Sequence, residues 1–165
     1  MAIKDELERL AKSKAYKDFA KKHPDAKLAH AFIMMEKGNR SEWQIGYYLK
    51  GNDQVITFFM HEEIKTSPPS KIFKEPRKKV LPLDIEKVSM TFSQAFDAAL
   101  EFQKEKYPTE KPAKILCILQ HLEEGTVYNI TFVTPAFNTL NIRVDAKAAE
   151  VTSHRLTSLL DFRAK

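Results

Sequence analysis

Apolar and polar positions follow a helical period at the start of the chain and then change to a strand-like pattern. Residues 2–21 carry apolar positions three and four apart, with a phase shift near Ser13 that predicts two consecutive helical segments. Ser13 can cap the second segment, and Pro24 is expected to end it. Antiparallel strands joined by turns containing glycine and asparagine are predicted next, at residues 28–35, 42–50 and 54–60.

A second helix followed by strands is predicted in the C-terminal half of the chain. Thr91 stands three residues before Gln94, which is the capping-box pattern, and the helix that it opens is expected to stop before Pro108. Because residues 15–60 align with residues 98–145, we expect an internal duplication with the same strand order in both copies. Strands are predicted at residues 113–122, 126–134, 139–145 and 150–153, and the tail is either a final strand or a turn of helix.

The segment between the two copies is rich in proline and in basic residues. Proline is excluded from the interior of a sheet, so residues 66–82 are predicted to be a linker without regular structure. The predicted domains are therefore a first unit at residues 1–65, with an extra N-terminal helical segment, and a second unit at residues 83–165. The predicted fold class is α+β, with two tandem units that each pack a helix on a small antiparallel sheet.

The last hairpin of the second copy carries a family resemblance. Residues 144–151 read Val-Asp-Ala-Lys-Ala-Ala-Glu-Val, and residues 83–153 as a whole resemble a PepSY domain, whose final hairpin reads Val-Asp-Ala-x-Thr-Gly-x-Val. Ala148 and Ala149 replace the threonine and glycine, so the turn either changes type or holds an alanine where glycine is preferred. The resemblance implies a cystatin-like arrangement for both copies and implies no catalytic residues.

Composition and charge exclude several classes of protein. The chain is 43% hydrophobic and 30% charged, and no apolar run approaches the roughly 18 residues of a membrane span. The N-terminus lacks the apolar stretch of a secretory signal, so we expect a cytoplasmic protein without a membrane segment. Cys117 is the only cysteine, which excludes an intrachain disulfide, and its apolar neighbours indicate a small buried side chain.

Most of the formal net charge of +5 lies in the predicted linker. A solvated connector is the favoured interpretation, and nucleic-acid binding, with Phe73 as a stacking residue, is a less favoured alternative. The candidate residues for an anionic partner are Lys71, Lys74, Arg77, Lys78 and Lys79.

Motifs for nucleotide binding or hydrolysis are absent from the sequence, and we expect no catalytic residue, cofactor or metal. His61 and Glu63 are the one pair that could share a ligand on a strand, and a charged strand end is the favoured interpretation there. A small-molecule site or an enzyme pocket between sheet and helix is an alternative, with the hydroxyl groups of Tyr47 and Tyr128 as its polar groups.

The first sheet is predicted to be apolar on both faces, whereas the second alternates between one apolar and one polar face. The predicted inner face of the first sheet consists of Trp43, Ile45, Tyr47, Val55 and Phe59. Its predicted outer face, and the candidate partner-binding site, consists of Tyr48, Ile56, Phe58 and Met60. These residues should be covered by residues 3–11, by the second copy, or by another protein or a homodimer partner. The expected function is a non-catalytic protein-binding or regulatory module, with a peptidase as one candidate target.

Overall fold

The computed structural model describes residues 2–72 and 79–160, and within them the chain forms three α-helices and ten β-strands. The helices are α1 (Ile3–Lys12), α2 (Lys14–Lys22) and α3 (Phe92–Lys106), with a 3-10 turn at Ile85–Lys87. The strands are β1 (Lys27–Glu36), β2 (Asn39–Arg40), β3 (Gln44–Leu49), β4 (Gln54–Phe59), β5 (Lys65–Thr66), β6 (Ser70–Lys71), β7 (Lys114–Leu122), β8 (Gly125–Val133), β9 (Asn138–Asp145) and β10 (Val151–Ser158).

The helix boundaries follow the local signals in the sequence. Ser13 separates α1 from α2, and its side chain accepts a hydrogen bond from the Tyr16 backbone N–H at 3.1 Å. Thr91 and Gln94 form the predicted capping box, in which each side chain accepts from the other residue's backbone N–H. These bonds satisfy N–H groups that the first turn of a helix leaves unpaired, which is why α2 and α3 begin there.

The strands form one antiparallel sheet rather than two. Its order is β10-β9-β8-β7-β1-β3-β4-β5, with β2 paired to β1 and β6 paired to β4. The two halves join where β1 pairs with β7, from His30 opposite Gln120 to Glu36 opposite Lys114. The prediction of two tandem cystatin-like units, each with its own small sheet, is therefore wrong, although the α+β class is confirmed. The physical reason is that two small sheets would leave β1 and β7 as edges with unpaired backbone groups, and their pairing removes both edges.

Both halves still run in the same order along the chain. Helix α2 is followed by the antiparallel series β1, β3 and β4, and helix α3 is followed by the antiparallel series β7, β8 and β9. The predicted duplication accords with this order and stays a prediction. Residues 154–158 of the tail belong to β10, so the strand alternative holds for this part of the tail.

The helices pack on one face of the sheet, which we call the helix-covered face. Phe19 of α2 meets the ring of Phe58 edge-on, with the ring centroids 5.1 Å apart, and Phe96 of α3 meets Phe132 in the same way at 6.4 Å. The core is continuous across both halves, because Cys117, Tyr128 and Phe58 belong to one cluster of buried side chains. The opposite face carries no helix among the described residues, and we call it the helix-free face.

In β4, the side chains that point toward the helices are the ones that were predicted to point away from them. Ile45 lies opposite Phe58 and Tyr47 lies opposite Ile56, so these four side chains share the helix-covered face. Val55 and Phe59 consequently point to the helix-free face. The prediction was shifted by one residue because β4 is apolar at successive positions, and a pattern that is apolar on both faces does not specify a register.

The predicted linker is partly built into the sheet. Strands β5 and β6 both pair with β4, with Thr66 opposite Phe58 and Ser70 opposite Val55, so the prediction that residues 66–82 lack regular structure is wrong at these positions. The backbone N–H of Leu83 then donates to the Leu28 carbonyl of β1 at 2.8 Å. The edge of β4 needs a hydrogen-bonding partner, and this segment supplies one. Residues 73–78 lie outside the described part of the chain.

Candidate functional site

An apolar patch occupies the centre of the helix-free face, where the two halves of the sheet join. Phe32 and Met34 of β1 lie opposite Ile118 and Leu116 of β7. Gln44 of β3 lies opposite both Phe32 and Phe59 and so connects them across the sheet. We call the five apolar residues the central patch: Phe32, Met34, Phe59, Leu116 and Ile118. All five are partly exposed, because no helix of the described residues covers them.

Polar side chains border the central patch on the side of β8 and β9. The Asn141 amide donates to Asn129 Oδ1 at 2.6 Å and to Thr131 Oγ1 at 3.1 Å. Next to them, the Arg143 guanidinium pairs with the Glu124 carboxylate. These hydrogen bonds fix the border side chains in defined orientations, so the face combines an apolar centre with an ordered polar rim.

A cavity of about 420 Å³ lies at one end of the helix-free face, between the sheet and the segment that follows β6. His30 lines this cavity, and its ring lies directly over Gly46 of the neighbouring strand, where no side chain stands in the way. Burial lowers the pKa of His30 below that of an exposed imidazole. The ring is therefore neutral at pH 7 and can both donate and accept a hydrogen bond.

The four predicted partner-binding residues do not form one surface. Ile56, Phe58 and Met60 are buried in the core on the helix-covered face, and Phe58 is fully buried. Tyr48 lies on the other face, where its hydroxyl donates to the Asp53 carboxylate at 2.5 Å. The expected burial is present for these three residues but not for Tyr48, which is partly exposed. The rings of Tyr16 and Phe19 of α2 contact Phe58, so its cover comes from α2, whereas residues 3–11 had been expected to supply it.

The basic candidates are divided between the described and undescribed parts of the chain. Lys71 and Lys79 are exposed at the rim of the cavity. Lys74, Arg77 and Lys78 lie outside the described residues.

Of the other polar candidates, His61, Tyr47 and Tyr128 make contacts within the protein. His61 Nδ1 is paired with the Glu42 carboxylate, and Glu63 is exposed. Within residues 2–72 and 79–160, no group of three or more His, Cys, Asp or Glu side chains could hold a metal ion. The Tyr128 hydroxyl donates to the Met90 carbonyl at 2.6 Å, and burial raises the pKa of Tyr128 and of Tyr47.

Neither the central patch nor the environment of His30 was predicted from the sequence. The signal for the patch was present in β1 and β7, which are apolar at successive positions and therefore present apolar side chains to both faces. That pattern shows that a strand has two apolar faces, but it does not show which neighbouring strand lies beside it. His30 gave no local signal, because its environment depends on Gly46 of another strand.

Comparisons with known proteins show a related fold. No family model and no curated protein matches the sequence. A solved structure, described as a "putative lipoprotein" from Clostridium difficile 630, matches with a TM-score of 0.55 and 17% sequence identity, over 87% of this chain and 90% of that chain. Similarity at this level of identity shows the fold alone. Among the described residues, no helix is long and apolar enough to cross a membrane.

Proposed function

We propose that this protein is a non-catalytic protein-binding module whose contact surface is the helix-free face of the sheet. The observation that carries the proposal is the central patch, in which apolar side chains of β1 and β7 lie side by side, Phe59 of β4 follows across Gln44, and all five remain partly exposed. Contiguous apolar surface of this kind on a soluble domain is typical of a protein interaction site.

The dimensions of the face fit a standard protein interface. Neighbouring strands lie about 4.8 Å apart and rise about 3.3 Å per residue. The six strands from β4 to β9 that carry the patch and its rim therefore span about 24 Å across, and six to nine residues along each strand give about 20–30 Å. The resulting area of roughly 500–700 Å² approaches the roughly 800 Å² that each partner buries in a stable complex.

The composition of the face also fits an interface with a folded protein. Interface centres are enriched in aromatic residues and methionine, which Phe32, Phe59 and Met34 supply. The rim of Asn129, Asn141 and Arg143 offers hydrogen-bonding groups in fixed orientations, so a partner does not have to order them on binding. These features favour recognition of a protein surface over recognition of a small molecule.

The test compares two phenylalanine substitutions that differ only in location. Phe59→Asn removes an aromatic side chain from the central patch, and Phe137→Asn removes one that is 61% exposed in the loop between β8 and β9. Cross-linked complexes from cell extract are compared for the unmodified protein and both variants, after circular dichroism has shown that both variants fold. We expect a complex that the Phe59 variant loses and the Phe137 variant keeps. A set of complexes that is identical for all three proteins would contradict the proposal.

A further inference from the structure

The two edges of the sheet differ in how they are protected. At one edge, β5 and β6 are each two residues long, and the segment that joins them along β4 contains Pro68 and Pro69. Very short strands and prolines protect an edge, because they offer a further strand few backbone groups to pair with. At the other edge, β10 extends over eight residues and pairs with β9 alone among the described residues. This edge, which we call the open edge, is a place where another strand can be added.

The hydrogen bonds between β9 and β10 determine which backbone groups of β10 point outward. The Leu159 backbone N–H donates to the Phe137 carbonyl at 2.8 Å, and this pair continues the register that begins at Ser153. In an antiparallel ladder every second pair is hydrogen-bonded, so the odd-numbered residues of this stretch bond to β9. The outward-pointing N–H and C=O groups therefore belong to His154, Leu156 and Ser158.

Contacts with α3 and the residue that follows it hold the open edge in place. The Tyr107 hydroxyl and His154 Nδ1 form a hydrogen bond of 2.7 Å, and the ring centroids of Phe102 and His154 lie 4.8 Å apart. These contacts place His154, and with it every second side chain of β10, on the helix-covered face. A strand that is already fixed in position does not have to be ordered on binding, which lowers the entropic cost of adding a neighbour.

Apolar side chains are exposed along the open edge. Leu156 is 40% exposed, and Leu159 and Leu160, which follow β10 directly, are 39% and 53% exposed. They are three of the four large hydrophobic side chains that are exposed in the described part of the chain. Leu156 lies opposite Leu140 of β9, so its side chain continues the buried row of the helix-covered face. An added strand would cover it and would thereby add an apolar contribution to the backbone hydrogen bonds.

The open edge is complementary to a second copy of itself. The outward-pointing residues are evenly spaced, so an antiparallel copy that uses all of them places Leu156 opposite Leu156 of the second copy. Ser158 of each copy then lies opposite His154 of the other, and every outward N–H group can donate to an outward carbonyl. Arg155, which is the one Lys, Arg, Asp or Glu residue of β10, lies opposite Thr157. No like charges therefore face each other across the pair.

From these observations we infer that the protein forms a symmetric homodimer in which the β10 strands of two copies pair antiparallel and join the two sheets into one. Pairing stops at two copies because β5 and β6 protect the opposite edge, so the assembly is a closed dimer and not a filament. The helices of both copies lie on the same side of the joined sheet. The inference rests on the open edge and not on the central patch, so its failure leaves the proposed protein-binding function intact.

The experiment measures the sedimentation velocity of the purified protein at concentrations from about 10 µM to about 1 mM, because interfaces below about 1,200 Å² are typically weak. We expect a reversible shift from one chain to two as the concentration rises. Leu156→Lys places two positive charges opposite each other at the centre of the pair, and Leu156→Glu places two negative charges there. Each variant should raise the dissociation constant of the dimer by at least about tenfold, after circular dichroism has shown that it folds.

Two results of this experiment would overturn the inference. One is an unmodified protein that stays monomeric up to the highest concentration, which would leave the open edge to residues 161–165 or to a strand of another protein. The other is a dimer that persists unchanged in both Leu156 variants, which would show that the two copies meet through a different surface.

A mixture of the two variants tests the register of the pair. Equal amounts of Leu156→Lys and Leu156→Glu should form a heterodimer, because a lysine then lies opposite a glutamate. Thr66→Lys is the matched control, since it adds the same charge at an exposed residue of β5 on the protected edge, and it should leave the dissociation constant unchanged. A mixture that stays monomeric, or a loss of the dimer in Thr66→Lys equal to that in Leu156→Lys, would overturn the inference.

Discussion

The contact between His30 and Gly46 provides a quantitative test of the packing on the helix-free face. A Cβ atom added at Gly46 would lie 2.6 Å from His30 Nε2 and 2.9 Å from Nδ1, and closer still to Cε1. Ordinary van der Waals contacts of a Cβ lie at 3.4–4 Å. In Gly46→Ala the imidazole ring would therefore have to move by about 1 Å, and an added methyl group that forces such a shift costs roughly 1–3 kcal/mol of the free energy of unfolding.

The ring has one way to reduce this cost, since the adjoining cavity offers space. Turning the side chain toward the cavity away from a preferred rotamer costs about 0.5–1.5 kcal/mol. We therefore expect Gly46→Ala to destabilise the fold by about 1–2 kcal/mol. For a protein of 150–250 residues, 1 kcal/mol corresponds to a Tm decrease of about 2–4 °C.

A double-mutant cycle isolates the steric conflict from other effects. In a His30→Ala background the obstructing ring is absent, and alanine in a strand is favoured over glycine by roughly 0.5–1 kcal/mol, so Gly46→Ala should become neutral or stabilising. The expected coupling between the two positions is about 1.5–3 kcal/mol, measured by urea denaturation of the four proteins. Gly51→Ala is the control, because no atom lies within 4 Å of a Cβ at that position. An equal cost for Gly46→Ala in both backgrounds would refute the proposed contact.

Four further changes test the core, the buried titratable groups and one turn. Phe58→Ala should cost about 3–5 kcal/mol in chemical denaturation, because the ring is fully buried, and a cost below about 1 kcal/mol would contradict its place in the core. Burial raises the pKa of Cys117, so iodoacetamide should alkylate the folded protein far more slowly than the unfolded one, and equal rates would show an accessible thiol. Burial lowers the pKa of His30, so the unfolded chain takes up a proton near pH 6.5 before the folded one does; stability should fall as the pH drops below about 6.5, and the Tm of His30→Gln should fall less between pH 7.5 and 5.5. Ala149 has a φ of 55°, so Ala149→Gly should raise stability by roughly 1 kcal/mol, and a lower Tm would show that the left-handed turn is not strained.

Helix boundaries and turns were predictable because their causes lie within a few residues. Ser13 and Thr91 cap helices through backbone groups three residues away. At Ala149 the sequence left two alternatives, and the structure adopts the one in which alanine occupies a position that favours glycine. Asp145 supports this turn, since its carboxylate accepts from the Lys147 backbone N–H at 2.7 Å. Each of these features depends on hydrogen bonds between residues close in the chain, so the residue types at those positions are enough to predict it.

The pairing of strands was not predictable in the same way, because it joins residues far apart in the chain. The successive apolar positions of β1 and β7 are the same whether each is an edge strand or the two are paired, so the sequence does not distinguish two small sheets from one large sheet. In β4, apolar residues at successive positions permit either face to point inward. The structure resolves this choice by placing Phe58 against Phe19 and Tyr47 on the helix-covered face.

The same pairing explains why the candidate surface was missed and why it exists. The first half of the chain supplies Phe32, Met34 and Phe59, and the second half supplies Leu116 and Ile118. In two separate sheets these residues would form two small groups at opposite edges, each too small to act as an interface. The hydrogen bonds between β1 and β7 bring the groups together at the centre of a wide sheet. A substitution that weakens this pairing should therefore impair the proposed binding at the helix-free face even if it leaves all five patch residues unchanged, because the surface depends on the connection between the two halves.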